Sequence, residues 1–414
     1  MPRTRKFDPN AIMNPNPVPV VVGGSVNSLT AVRSLARAGL RPILVSCVDG
    51  PGTASKYARI FKVPTYSKES LIDNLIHLKT QLPNGAVLIC VEDTPAITVS
   101  RYRERLAPHF NLPKLPPHEQ YVEIGLKDHF FQMAQKGGFP VPSTLLLKSL
   151  DDVESVKDLR LPLCVKPNIH TVAYDRSFKK AYRVDSYSEA QSLCEDILNA
   201  AGEVLVQEWI EGSNDSIYFA LCYMVDPKPV VFVGRKGRSW PPQIGVTASC
   251  WAAPEVADEL EEMTVRFFRS VGFTHGFASM EYKRDSRDSR FRMVEPTIGR
   301  TNGQVEIAAL CGINLCYAAY CDAAQLPLPA PNLDPKHVWR DEFTDFISAR
   351  ILGQSCSYPP GYKVHNAYMR WDDPGPGFFA LKDLSRRMLL RARRAISGET
   401  AWSDLLSYTR HGKA

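Results

Sequence analysis

The sequence has no run of about 18 or more apolar residues, so nothing in it predicts a membrane-crossing helix. It has no CxxC pair. Its 10 cysteines stand singly, as in LICV around Cys90 and LPLCVKP around Cys164, which argues against a redox motif or the disulfide framework of a small secreted domain and fits a reducing compartment. None of its 9 histidines forms a metal-type pair; His170 and His275 are read as substrate-shaping or structural. A concentrated basic stripe is also missing. Its 50 Lys+Arg against 44 Asp+Glu leave a net charge of +6 over 414 residues, too thin to announce nucleic-acid binding. There is no internal repeat or low-complexity segment, and no apolar leader follows the charged start MPRTRKFDPN. The expectation is a cytoplasmic protein without integral membrane association. With 44% apolar residues it can bury a sizeable core, and its length suggests two or three domains.

The run VPVVVGG from Val18 reads as a buried strand ending in glycines. SLTAVRSLARAGL then repeats apolar residues at helical spacing before the strand RPILVSCV, a βαβ start. GAVLICVEDTP continues the alternation, so residues 16–125 are predicted to form an open α/β domain. GLKDHFFQMAQKGG is predicted to be a helix closed by Gly137 and Gly138, with Pro140 and Pro142 beyond it. Short strands and helices follow to about residue 330 and read as α+β with antiparallel pairing. A proline-rich link, QLPLPAPNLDPKH, precedes a tail with the basic run Arg386, Arg387, Arg391, Arg393 and Arg394, read as a solvated helix face or a surface for an acidic partner or membrane.

Three places could carry chemistry. The turn Gly23-Gly24-Ser25 lies between a strand and a helix, where backbone N–H groups can hold an anion, but the third glycine and the distal acid of a dinucleotide site are missing. A tight βα turn, or one touching a second substrate, is the favoured reading. Lys166 ends the apolar strand PLCVKP, where burial is unfavourable unless an anion pairs with it. The next strand exits through Glu208-Trp209-Ile210, whose backbone could read an adenine edge, with Asp215 beyond for ribose hydroxyls. Finally, Glu281 in GFASMEYKRD and Glu295 in SRFRMVEPTIGR occupy two strand-like runs joined by DSRDSR. A hairpin of that length sets both carboxylates side by side, an arrangement that calls for a cation such as magnesium.

In order along the chain, GLKDHFFQMAQKGGFPVPST, PLCVKP, VLVQEWIEG, ASMEYK and VEPTIGRTNG resemble the motifs of the ATP-grasp superfamily. The nearest resemblance is to its carboxylate-amine ligases, those related to D-aspartate ligase and the carbamoyl-phosphate-synthase-like proteins. The resemblance covers about residues 16–330. It implies a Rossmann-like preceding domain (16–125), a small nucleotide lobe (126–195), a large lobe with the metal acids (196–330), and an extension of unassigned role (331–414). It further implies that Lys127 and Lys166 contact the α- and β-phosphates. Glu208, Trp209 and Ile210 would form the adenine hinge, with Asp215 near the ribose. Glu281 and Glu295 would hold one or two Mg²⁺ (or Mn²⁺) ions, and Arg300 would steady an acyl phosphate. Arg235, Lys236 and Arg238 fall where relatives place cations for the γ-phosphate or the substrate carboxylate; a solvated basic loop is the plainer reading of that run.

Two departures stand out. Thr297 occupies a position that is often Asn in the family, with Asn302 as an alternative ligand. The loop after Lys166 lacks the glycines of a phosphate lid, where Lys179 or Lys180 could compensate by charge. The implied reaction joins a carboxylate to an amine, both small and of amino-acid type, through an acyl phosphate made from ATP. A catalytically silent ATP-binding regulator and an ATP-dependent carboxylase are the rival readings, and assembly as a homo-oligomer is left open.

Overall fold

A computed structural model describes residues 16–168, 177–179, 181–242 and 245–396, with backbone alone over 387–396. The first apolar run forms strand β1 (Val18–Val22), and helix α1 (Val26–Arg37) leads to β2 (Ile43–Ser46). The domain continues with β3 (Arg59–Lys62), helix α2 (Glu69–Thr80), β4 (Ala86–Cys90) and helix α3 (Asp93–Arg101). Its four strands form a parallel sheet in the order β3-β2-β1-β4. Helices cover both faces of such a sheet, so its inner strands carry unbroken apolar runs; β1 and β2 are buried along their whole length, and so is β4, an edge strand whose Val87 bridges Asn111. At the edge, β3 is only partly buried, and its sequence RIFK lacks the apolar run that revealed the others.

Helix α4 (Lys127–Lys136) ends at Gly137, and Gly138 takes a φ of 69°, as the glycine pair predicts. The small lobe follows: β5 (Thr144–Leu147), β6 (Leu163–Lys166), β7 (Tyr182–Val184), helix α5 (Tyr187–Ala201) and β8 (Val204–Glu208). Its antiparallel sheet has the order β5-β8-β6-β7. Leu147, Val165, Ile197 and Val206 belong to a core confined to this lobe. The expected boundary at 195/196 is therefore wrong. It would cut α5 and detach β8, the central strand that hydrogen-bonds both β5 and β6.

The large lobe contains β9 (Ile217–Met224), β10 (Val230–Trp240), β11 (Val246–Ala252), helix α6 (Ala257–Ser270), β12 (Gly276–Arg284) and β13 (Phe291–Ile298). After the proline-rich link come β14 (His337–Arg340), helix α7 (Glu342–Ile351) and β15 (Lys363–Asn366). All seven strands form one sheet, β13-β12-β9-β10-β11-β14-β15. Residues 331–414 are thus not an appendage, since 337–366 complete the large sheet. Beyond them, helix α8 (Gly375–Ile396) carries the basic run; Arg386 is exposed, and the side chains from Arg387 onward lie outside the described residues.

One face of the large sheet, with Phe219, Phe232 and Trp339, shares a continuous core with Val21, Leu29 and Ile89 of the first domain. A buried ion network reinforces this seam. Arg33 on α1 donates to Asp373 at 3.0 Å and lies 3.9 Å from Glu306, which Arg370 contacts at 2.6 Å. Ser55 and the backbone of Lys56 complete the shell of Asp373 at 2.7 and 2.9 Å. Removing one member of a buried pair strands the other charge without water. Asp373→Ala is expected to destabilise the protein by about 3–5 kcal/mol, measured as a shift in urea unfolding; a loss below about 1 kcal/mol, the range of surface pairs, would show that the network does not hold the seam.

Candidate active site

Strands β12 and β13 pair so that Glu281 lies directly opposite Glu295, as the hairpin spacing predicts. Two carboxylates at this separation repel each other unless positive charge is near. Lys236, on β10, provides one such charge: its buried ammonium lies 2.6 Å from Glu281 and donates to the Gly245 carbonyl at 3.1 Å. Glu295 is exposed, and Thr297 lies two residues along the same strand and therefore on the same face. Among the described residues no third His, Cys, Asp or Glu joins a metal-binding group. The donor set nevertheless fits magnesium, which commonly uses one or two carboxylates and takes its remaining oxygens from water and substrate phosphates. Asn302 lies in the turn after β13, its carbonyl accepting from Val305 N at 3.0 Å, beside Gly303, which abuts Val26 and Asn27 of α1.

The lysines come from the small-lobe side. Lys166 ends β6 with its ammonium 5.3 Å from the centre of the Phe131 ring. Lys127 opens α4, where its ammonium lies 3.5 Å from the Pro167 carbonyl, and Asn168 accepts from the next backbone N–H, that of Asp128, at 3.2 Å. A third lysine, Lys283, was not singled out from the sequence. It follows Glu281 by two residues on β12 and so shares its face. It is buried, its ammonium 4.6 Å from the centre of the Trp209 ring, and burial lowers its pKa to about 8. The alternation in MEYKRD was the signal that could have found it.

The hinge is tied to neighbours on both sides. Trp209 N–H donates to the Pro162 carbonyl at 2.8 Å, while the Trp209 carbonyl accepts from Arg287 at 3.2 Å and that of Glu211 from Ser286 N–H at 3.0 Å. Glu208 accepts from the Arg160 backbone at 3.2 Å, and Ile210 is buried. The hinge backbone is therefore already anchored by Pro162 and by the β12–β13 turn. Trp209 N–H is engaged, and each carbonyl retains a second lone pair.

Of the basic run on β10, only Lys236 joins the acid pair. Arg235 is its immediate neighbour and points to the opposite face. There it lies 5.2 Å from the Tyr218 ring centre, donates to the Asp215 carbonyl at 2.6 Å and lies 3.4 Å from that residue's carboxylate. Asp215 is correspondingly engaged by Arg235. A bulge at Gly237 pairs Lys236 with Cys250 but Arg238 with the adjacent Ser249, which moves Arg238 to the other face as well. Arg238 makes a buried bidentate pair with Asp345 on α7, at 2.7 and 2.9 Å. Of the three cations that the resemblance sets at the γ-phosphate or the substrate carboxylate, Arg235 and Arg238 thus turn away from the acid pair, and the run is a strand rather than a solvated loop. Arg300 pairs with Asp93 at the start of α3 and donates to the Thr301 carbonyl at 3.0 Å, which places it at the seam with the first domain.

The glycine turn of the first domain already holds an anion, and it is the chain's own. Glu92 accepts from the backbone N–H groups of Gly24 and Ser25, both at 2.8 Å. A Cβ on Gly23 would approach that carboxylate to 2.9 Å. A dinucleotide phosphate has no place there without displacing Glu92. His275 contacts its neighbour Thr274 at 3.0 Å, and Lys179 rests 5.6 Å from the Tyr182 ring centre; His170 and Lys180 lie outside the described residues. All ten cysteines are free thiols, with burial raising those of Cys90 and Cys222, and none lies in the acid pair's immediate contacts.

No protein-family model matches this sequence, and no curated protein sequence matches it. Its fold, by contrast, is found in many solved structures. The ADP complex of an N5-carboxyaminoimidazole ribonucleotide synthetase superposes with a TM-score of 0.59 at 14% identity, over 78% of this chain and 80% of that one. An L-amino acid ligase from Bacillus licheniformis gives 0.58 at 17% identity, over 78% of each chain. The biotin carboxylase–β,γ-ATP complex from Campylobacter jejuni gives 0.58 at 14% identity, over 77% of this chain and 74% of that one. The chain therefore has the ATP-grasp fold, as its ordered motifs led us to expect.

Proposed function

We propose that this protein is an ATP-dependent ligase that joins a small carboxylate to an amine through an acyl phosphate, its first domain serving as the Rossmann-like domain that precedes the ATP-grasp lobes. The observation that carries this reading is the acid pair Glu281–Glu295 with Lys236 against Glu281, set on the face of an ATP-grasp large sheet. A carboxylate is a poor acylating agent because oxide is a poor leaving group. Attack of the carboxylate oxygen on the γ-phosphorus forms the acyl phosphate and releases ADP. Attack of the amine on the acyl carbon then forms the amide, releases phosphate and loses one proton.

The chain's residues position and neutralise charge, and no covalent nucleophile is needed. Lys127 and Lys166 hold the phosphates, and the hinge at Glu208, Trp209 and Ile210 borders the base. Glu281 and Glu295 would hold Mg²⁺ or Mn²⁺, which supplies Lewis-acid charge to the phosphoryl oxygens. Thr297 offers a neutral oxygen on the Glu295 face, and Lys236 keeps Glu281 neutralised. Arg300 steadies the acyl phosphate once released from Asp93. Arg235 and Arg238, facing away, act by shaping β10. The singly placed free cysteines support a reducing, cytoplasmic setting.

The resemblance to a biotin carboxylase supports one second reading, in which bicarbonate is the carboxylate. The deciding experiment is ADP release from ATP and magnesium with pooled amino acids or with bicarbonate and amine acceptors. Release that requires an amino-acid pair supports the ligase, release that requires bicarbonate supports the carboxylase, and nucleotide binding without release under any condition overturns both.

Two variants test the site. Glu295→Gln keeps size but removes charge, so magnesium-dependent turnover should fall by at least about a hundredfold, on the order of 3 kcal/mol of barrier; full activity in both Glu295→Gln and Glu281→Gln removes the metal assignment. Lys166→Ala should weaken ATP binding by about 1.5–3 kcal/mol, the contribution of a charge-assisted hydrogen bond, measured by titration calorimetry. Unchanged affinity in a folded variant takes Lys166 out of the site.

A further inference from the structure

We propose that Lys283 is a nucleotide-contacting residue that brings a further ammonium to the phosphates nearest the base, an inference that rests on the ATP reading of the cleft. Lys283 is 7% exposed, and a buried ammonium is unfavourable unless an anion accompanies it. Each neighbouring carboxylate already has a cation. Glu211 faces Arg183 at 3.4 Å, Asp285 is held by Arg287 at 2.6 Å, and Glu281 is held by Lys236 at 2.6 Å. Among the described residues no carboxylate lies within ion-pair distance of Lys283. What holds it is the Trp209 ring, its centre 4.6 Å away, just as the Phe131 ring holds Lys166 at 5.3 Å. An aromatic face fixes an ammonium without cancelling its charge.

The position is also right. Along β12 the chain runs from Glu281, at the metal end, to Lys283, two residues and roughly 7 Å further on, where Lys283 meets the hinge residue Trp209. Lys127 lies 3.5 Å from the carbonyl of Pro167, the residue after Lys166 at the end of β6, and β6 pairs with β8, the strand that runs into Trp209. If the side chain served only to pack on Trp209, an apolar residue would suffice and would avoid desolvating a charge. A lysine held on a ring, with every nearby acid matched to another cation, is a site for an incoming anion, and the phosphates of the nucleotide supply it.

The test compares wild type with Lys283→Met and Lys283→Arg by titration calorimetry with magnesium and ADP, and with adenosine; circular dichroism confirms folding. ADP affinity should fall at least about tenfold in Lys283→Met, the low end for a charge-assisted hydrogen bond, and stay near wild type in Lys283→Arg. Adenosine binding should be unchanged in both. If Lys283→Met does not fold, Lys283→Gln gives the same comparison with a polar head. ADP affinity equal to wild type in the uncharged variant overturns the proposal, as does an equal loss for ADP and adenosine, which would put the lysine against the base. A wild-type protein that binds neither ligand overturns the ATP reading itself, a result distinct from either outcome in the variants.

Discussion

Two glutamates set opposite each other on a half-buried sheet are the constraint around which the neighbouring charges are organised. Unit charges about 5 Å apart repel by roughly 3 kcal/mol at an effective dielectric of about 20, before solvent screening. The fold does not relieve this by splaying the strands. It places Lys236, almost wholly buried, against Glu281 and leaves Glu295 open to solvent. One carboxylate is therefore compensated from within the sheet, and the other stands at its exposed surface. The adjacent basic residues are disposed of by backbone geometry: strand alternation turns Arg235 away, and the bulge at Gly237 turns Arg238 into its buried pair with Asp345.

The first domain and the large lobe share a core and are joined by the Arg33–Asp373 and Arg370–Glu306 ion pairs, with Arg300 and Asp93 crossing the same seam. Glu92 fills the glycine turn of the parallel domain with the chain's own carboxylate. The small lobe has a core of its own, lends Leu205 to the core of the large lobe, and is tied at the hairpin turn, where Ser286 and Arg287 donate to the carbonyls of Glu211 and Trp209. The hairpin that carries Glu281 and Glu295 thus also holds the backbone of Trp209 and Glu211 at its turn, and Lys283 lies between them.

Features set by local periodicity were legible in the sequence. Apolar runs revealed β1, β2 and β4, the glycine pair ended α4, and the hairpin placed Glu281 opposite Glu295. Parity along MEYKRD also contained Lys283, and the adjacency of Arg235 to Lys236 already forbade both from facing one ligand. Other features depend on contacts that no local pattern encodes. Glu92 reaches Gly24 across 68 positions and Arg300 reaches Asp93 across 207. The short strands β14 and β15 follow a proline-rich link, yet they pair with each other and β14 pairs with β11. The small-lobe boundary was misplaced inside α5 because no local pattern says which sheet the strand after that helix joins, and only the hydrogen-bond ladder shows that β8 pairs backwards with β5 and β6.

The central claim is that the Glu281–Glu295 pair is a metal and triphosphate site. The most direct measurement is a crystal structure of the protein with Mn²⁺ and ADP, using the anomalous signal of manganese to locate the ion. The account predicts a manganese peak coordinated by Glu281 and Glu295, with the ADP phosphates facing Lys127 and Lys166. A peak at any other side chains, or ADP seated at the Gly23–Ser25 turn in place of the Glu92 carboxylate, would contradict it.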